Sequence, residues 1–128
     1  MDYLDTSAFF KLVVDEPESR AIRRALDPAR GLVSSALLVV ESRRAAMRYA
    51  DTAATRVRSA LSGVTLLPVD DATLERAAAL EPPRLRSLDA IHLATALSLG
   101  GDLDCFYCYD ARLADAAAAL DLRVSGPA

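Results

Sequence analysis

Two acidic residues follow short runs of strand-forming residues and precede helical segments. Asp5 comes after Tyr3-Leu4, and Asp110 comes after the run 105–109. In open α/β sheets, ligand-binding groups are presented where a strand passes into a helix, at the carboxyl edge of the sheet. Each residue also fits a helix N-cap, because a carboxylate there accepts hydrogen bonds from free backbone N–H groups. Both interpretations stay open for each residue taken alone.

Two further acids lie in apolar surroundings. Glu41 follows five apolar residues, 36–40, and Asp89 lies in the apolar segment 88–97. A salt bridge from Glu41 to Arg44 would explain the first, and a favourable interaction with the helix dipole would explain the second. A charge in an apolar helix nevertheless needs a partner, which favours a shared role for these acids.

If the four acids meet at one edge of a sheet, their mutual repulsion requires bound protons or cations. An oxygen-only donor set without His or Cys favours Mg²⁺ or Mn²⁺. One or two such ions would polarise a phosphoryl group and lower the pKa of a bound water, as phosphodiester hydrolysis requires. The sequence therefore predicts a metal site at Asp5, Glu41, Asp89 and Asp110, provided that they converge.

Short β-like runs alternate with longer helical runs, which predicts an α/β fold of three α/β/α layers around a mostly parallel sheet. We expect helix starts after Thr6-Ser7, after Ser34 or Ser35, and after Ser87, each serine acting as a cap. The predicted strands are 3–5, 32–33, 64–69, 104–109 and, less regularly, 122–124; the predicted helices are 8–14, 17–26, 36–50, 52–61, 70–80, 87–99 and 111–120.

Length and composition place all of 1–128 in a single domain. The chain has 128 residues, 52% hydrophobic and 26% charged, with a net charge of −3 and Lys11 as its only lysine. This balance excludes a generally basic nucleic-acid binder, so a polyanion would be held by local arginines or a bound cation. No segment is apolar enough to cross a membrane, and the first residues lack the pattern of a signal peptide, so we expect a cytoplasmic protein.

Arginines on two predicted helices could flank the acids and bind the phosphates of a polyanion, or they could simply be solvated. One group contains Arg43 and Arg44 with Arg48; the other contains the arginines of 20–24. Asp115, five residues after Asp110, fits either a place near the acids or a solvated helix face.

His92 and the two cysteines have competing interpretations. His92, one helical turn after Asp89, fits a buried structural histidine better than a general base. Cys105 and Cys108 have a redox or zinc-like spacing, but within a strand they point to opposite faces, and a zinc site needs four ligands.

Other functional classes use similar acids but need residues that this chain lacks. A receiver-type phosphoacceptor domain also uses a strand-end Asp with Mg²⁺, but it needs a lysine on a late strand. An Asp-nucleophile phosphatase would need a second acid where Ser7 stands. A catalytically silent binding module of the same fold remains an alternative.

Four segments in this order and spacing resemble the PIN-domain ribonucleases, especially the VapC toxins of bacterial toxin–antitoxin pairs. They are YLDTSAFFKL (3–12), SSALLVVESRRA (34–45), SLDAIHLATAL (87–97) and YCYDARLADAA (107–117). The likeness covers essentially the whole chain.

The resemblance implies a central parallel sheet, metal-dependent endonucleolytic RNA cleavage, a homodimer and a cognate VapB-like antitoxin. It implies that Asp5, Glu41, Asp89 and Asp110 are the family's acidic metal ligands, and that Thr6 and Ser7 supply hydroxyls beside the first acid. Cys108 departs from the Thr or Ser often found two residues before the last acid.

Overall fold

Five parallel strands form the central sheet of the computed structural model, which describes residues 1–128. Their order is β3-β2-β1-β4-β5, so the first strand lies in the middle. The elements are β1 (Asp2–Leu4), α1 (Thr6–Val13), α2 (Ser19–Ala25), β2 (Leu32–Ser35), α3 (Leu37–Ala46), α4 (Asp51–Leu61), β3 (Val64–Leu67), α5 (Asp71–Ala78), α6 (Ser87–Leu97), a 3₁₀ turn (Gly100–Asp102), β4 (Cys105–Tyr107), α7 (Ala111–Ala119) and β5 (Val124–Ser125).

Helices cover both faces of this sheet, which confirms the predicted three-layer α/β/α fold. Helices α1 to α4 pack on one face around Leu4, Phe9 and Leu38. Helices α6 and α7 pack on the other face around Leu93 and Leu113, with α5 against α6. Residues on both faces of the inner strands β1, β2 and β4 are therefore largely buried, whereas Thr65 on the edge strand β3 is exposed.

The middle of the sheet fixes the relative position of the first and last acids. In the pairing of β1 with β4, Leu4 lies opposite Tyr107, and the Asp5 amide donates to the Tyr107 carbonyl oxygen at 3.2 Å. The two strands thus end side by side at the carboxyl edge. One residue, Asp5, separates β1 from α1, and three residues separate β4 from α7.

Several predicted helix boundaries differ from the structure. Helix α1 begins at Thr6 with Asp5 as its N-cap residue, so Thr6 and Ser7 are not the cap. The predicted helix 36–50 ends at Ala46, and a turn separates it from α4. Helix α6 begins at Ser87 with Arg86 as N-cap residue and no side-chain cap, so Ser87 is not the cap. Ser34 and Ser35 belong to β2, although the Ser35 Oγ accepts a hydrogen bond from the Leu37 amide. Such boundaries depend on tertiary packing more than on the local sequence.

The cysteine pair lies across the sheet, as the strand spacing predicts. Cys105 belongs to the apolar cluster under α1 to α4, and Cys108 belongs to the cluster under α6 and α7. Both thiols are free and buried. A dithiol or zinc site at this pair is therefore excluded. None of the helices has the length and apolarity needed to span a bilayer.

Candidate active site at the carboxyl edge of the sheet

Asp5 is the most deeply buried acid of the carboxyl edge. It caps α1: its Oδ1 accepts from the Ala8 amide at 2.8 Å and from the Ser7 hydroxyl at 2.7 Å. Ser7 Oγ accepts in turn from the Tyr109 amide at 3.0 Å. Burial raises the pKa of Asp5 to about 6 despite these bonds, and the negative charge of Asp89 acts in the same direction. The capping role is confirmed, yet the second carboxylate oxygen accepts no bond within the chain.

Glu41 reaches the same edge from α3, where it bonds to residues of two other helices. Its Oε1 lies 2.6 Å from His92 Nε2 and accepts from the Thr6 hydroxyl at 2.7 Å. Burial raises the pKa of Glu41, but these bonds outweigh it and hold the pKa below its ordinary value. The predicted alternative, a salt bridge to Arg44, is wrong.

His92 is buried and held from both sides. Its Nδ1 lies 2.7 Å from the Tyr3 hydroxyl, whose oxygen accepts from the Ser35 amide at 3.1 Å. An ionised Glu41 only accepts, so Nε2 carries the proton, and Nδ1 accepts from Tyr3 when the imidazole is neutral. The structural interpretation of His92 is thereby supported. Its function in the fold is to fix Glu41.

Arg86 joins the other two acids. Its guanidinium nitrogens lie 3.5 Å from Asp89 Oδ2 and 3.5 Å from Asp110 Oδ2. Asp110 also caps α7 through the Leu113 amide at 3.0 Å, as predicted. Burial raises the pKa of Asp89, with repulsion from Asp110 and Glu41 adding to it and Arg86 opposing it.

Direct contacts place the four predicted acids at the same edge of the sheet. Asp5 and Asp110 follow the paired strands β1 and β4, Arg86 lies 3.5 Å from both Asp89 and Asp110, and Glu41 bonds to Thr6 beside Asp5. The charge of Asp89 raises the pKa of Asp5, and the charges of Asp110 and Glu41 raise the pKa of Asp89. The four acids follow β1, belong to α3 and α6, and precede α7, so they are distant in the chain. The hydroxyls of Thr6 and Ser7 each bind one of these acids.

The other predicted flanking residues form no salt bridge or side-chain hydrogen bond with the four acids. Arg43 and Arg44 are exposed on α3. Asp115 is exposed on α7 and lines a cleft that contains none of the four acids. Sequence reasoning missed Arg86, although its spacing of three residues from Asp89 on a helix start allows an ion pair.

Cys108 lies beneath the acids but cannot replace a hydroxyl ligand easily. Burial, together with the negative charges of Asp5, Asp110 and Asp89, raises the pKa of its thiol to about 12. A neutral thiol is a poor ligand for a hard cation. Because His92 Nε2 is bonded to Glu41, the atoms at this edge that could ligate a metal ion are carboxylate oxygens.

This donor set fits a hard divalent cation chemically. The acids repel one another, and the cation that already touches two of them is the exposed guanidinium of Arg86. As they stand, no three His, Cys, Asp or Glu side chains are close enough to enclose an ion. The carboxylates thus lie at one edge of the sheet, but their positions in this structure do not form a coordination shell.

Comparisons with known proteins agree with this architecture. The PIN domain family matches residues 3–119. Ribonuclease VapC46 of Mycobacterium tuberculosis is 48% identical over 125 residues, which are 98% of this chain and 96% of that protein. Ribonuclease VapC35 of the same organism is 42% identical over 131 residues, covering 99% of this chain and 97% of that protein.

Two solved structures share the fold at low sequence identity. One is VapC20 of Mycobacterium tuberculosis, described as a toxin that cleaves the sarcin-ricin loop, with a TM-score of 0.70, 16% identity, and coverage of 91% of this chain and 95% of that one. The other is from VapBC2 of Rickettsia felis bound to a promoter DNA fragment, with a TM-score of 0.76, 10% identity and full coverage of both chains.

Proposed function

Because the chain belongs to the PIN-domain family, with VapC ribonucleases among its relatives, we propose that it is the endoribonuclease toxin of a VapBC-type toxin–antitoxin pair. It hydrolyses RNA phosphodiester bonds with one or two Mg²⁺ or Mn²⁺ ions at Asp5, Glu41, Asp89 and Asp110. The observation that supports the proposal is the position of these acids at one edge of the sheet, where Arg86 lies 3.5 Å from both Asp89 and Asp110.

A bound divalent ion would supply Lewis-acid polarisation of the phosphoryl group and a water of lowered pKa. Neighbouring residues orient the carboxylates that would bind this ion. Ser7 and the Ala8 amide hold one oxygen of Asp5 and leave the other free. Thr6 and His92 fix Glu41 in its ionised form, because both of their bonds stabilise the carboxylate.

The buried Tyr3–His92–Glu41 chain of hydrogen bonds restrains a carboxylate that would otherwise rotate freely. Positioning of this kind matters because small displacements of ligands cost large factors in rate. Arg86 lies at the opening of the site, 74% exposed, where a guanidinium can contact a phosphate of the substrate.

We further propose that a VapB-like antitoxin and a second copy of the chain are its protein partners. The Rickettsia structure contains a VapBC assembly, which supports the first partner. An antitoxin that places a basic side chain among the acids would supply the positive charge that the site needs.

The test of the activity is cleavage of end-labelled RNA by purified protein with Mg²⁺, with Mn²⁺ and with EDTA. The wild type is expected to produce discrete fragments only with a divalent ion, and Asp5→Asn is expected to produce none. Absence of cleavage by the wild type across a diverse RNA pool would contradict the proposal.

A further inference from the structure

A cleft of about 560 Å³ opens between α7 and the segment that precedes α6. Leu85 and Ala116 line it as apolar residues, together with Pro82 and Ala119. The proline-containing segment 81–85 forms one wall, and the face of α7 forms the other. The cleft is open at the surface, so a single-stranded ligand can enter from solvent.

Both walls of the cleft are close in sequence to residues of the acidic site. Arg84 in its wall is two residues before Arg86, which contacts Asp110. Arg112 in the opposite wall is two residues after Asp110, in the first turn of α7. Ala119 lies about 10 Å beyond Arg112 along α7, at 1.5 Å per residue. The cleft therefore leads away from the carboxylates along one helix.

Four charged side chains line the cleft without partners in the protein. None of them forms a salt bridge or a side-chain hydrogen bond; they are Glu81, Arg84, Arg112 and Asp115. Guanidinium groups bind phosphates and stack on bases, and carboxylates accept hydrogen bonds from the amino groups of bases. A nucleotide has a phosphate for the arginines, base amino groups for the carboxylates, and a flat base that can pack on the apolar lining residues.

On the basis of the proposed ribonuclease function, we propose that this cleft binds a nucleotide of the RNA strand adjacent to the cleaved bond. Arg84 and Arg112 contact its phosphates, and Glu81 and Asp115 bond to its base. The cleft is then a determinant of RNA sequence preference, separate from the residues that hold the metal.

Binding without cleavage isolates this role. Anisotropy of a short fluorescein-labelled single-stranded RNA, in EDTA, measures affinity as salt is varied. Arg84→Ala and Arg112→Ala are each expected to weaken binding roughly tenfold and to reduce the salt slope by about 0.7. Arg58, an exposed residue of α4 that does not line the cleft, is the control: Arg58→Ala loses the same charge and is expected to bind as the wild type.

A pair of variants on α7 tests the cleft itself. Ala119→Trp fills it, whereas Ala118→Trp adds the same side chain at an exposed neighbouring position that does not line it. Circular dichroism confirms that both fold. We expect weaker RNA binding and an altered cleavage pattern only for Ala119→Trp.

The outcomes separate the two proposals. A wild type that neither binds nor cleaves RNA overturns both. A wild type that cleaves RNA, together with Arg112→Ala and Ala119→Trp variants of unchanged affinity, salt slope and cleavage pattern, overturns the cleft proposal alone.

Discussion

His92 Nε2 lies 2.6 Å from Glu41 Oε1, so a buried histidine of α6 holds the single acid that α3 contributes to the site. The two residues are 51 positions apart in the chain. Their bond crosses the carboxyl edge of the sheet and ties together helices from its two opposite layers. Site geometry and fold stability therefore depend on the same contact.

Tyr3→Phe tests the buried end of this chain. The variant removes the hydroxyl that bonds to His92 Nδ1 and accepts from the Ser35 amide, leaving two buried polar groups without that partner. We expect a loss of about 1–3 kcal/mol in the free energy of unfolding, measured by urea denaturation. Tyr49→Phe, at a half-exposed position, is the control and should change stability little. Equal effects of the two would contradict the role of the Tyr3 hydroxyl.

Asp5→Asn tests the electrostatic cost of the site through its pH dependence. The pKa of Asp5 is about 6 in the folded protein against an ordinary value of 3.8. Between these values the folded state binds more protons than the unfolded state, so the stability due to this group falls as pH rises from 4 through 6. The cost at pH 8 is roughly 3 kcal/mol.

In EDTA at pH 8, Asp5→Asn should therefore be more stable than the wild type by up to that amount, since the amide oxygen still caps α1. The difference should shrink as pH falls towards 4. Thermal unfolding across this range measures it. A variant that is less stable than the wild type at pH 8 would show that the carboxylate is chiefly a structural cap.

Arg86→Gln tests whether the guanidinium competes with a metal ion. Arg86 neutralises part of the charge of Asp89 and Asp110, so its removal should strengthen Mn²⁺ binding several-fold in calorimetry without RNA. Arg58→Gln, with the same change of charge on α4, is the control. Unchanged or weaker Mn²⁺ binding by Arg86→Gln would show that Arg86 does not occupy the site.

Asp2→Val concerns the opposite end of β1. Asp2 is fully buried, neither carboxylate oxygen accepts a hydrogen bond, and its one ion pair, with Arg30, spans 3.7 Å. Replacing such a group by an apolar strand former should raise the free energy of unfolding by about 1 kcal/mol. A clear loss of stability in urea denaturation would indicate that the Arg30 pair is worth more than its length implies.

The layers and the acidic residues were predictable from the sequence because they follow local rules. Strand-forming runs ending in Asp5 and Asp110 predict both a sheet edge and helix caps, and the structure has both. The burial of His92 was also predictable from its apolar helix.

Pairings between distant segments were not predictable in this way. Periodicity places Glu41 and His92 on their own helices, but only the packing of α3 and α6 across the edge decides that they meet. Arg86 was missed because it stands in an irregular segment after two prolines, where no periodic pattern indicates a direction. The turn after Ala46 likewise has no breaker residue to mark it.

Calorimetric titration of Mn²⁺ into the metal-free protein tests the central claim, that four acids from separate segments form one cation site. The wild type is expected to bind Mn²⁺, Asp89→Asn to lose most of that affinity, and Glu75→Gln, an exposed acid of α5, to retain it. A wild type without measurable binding, or an Asp89→Asn variant that binds as tightly as the wild type, would contradict it.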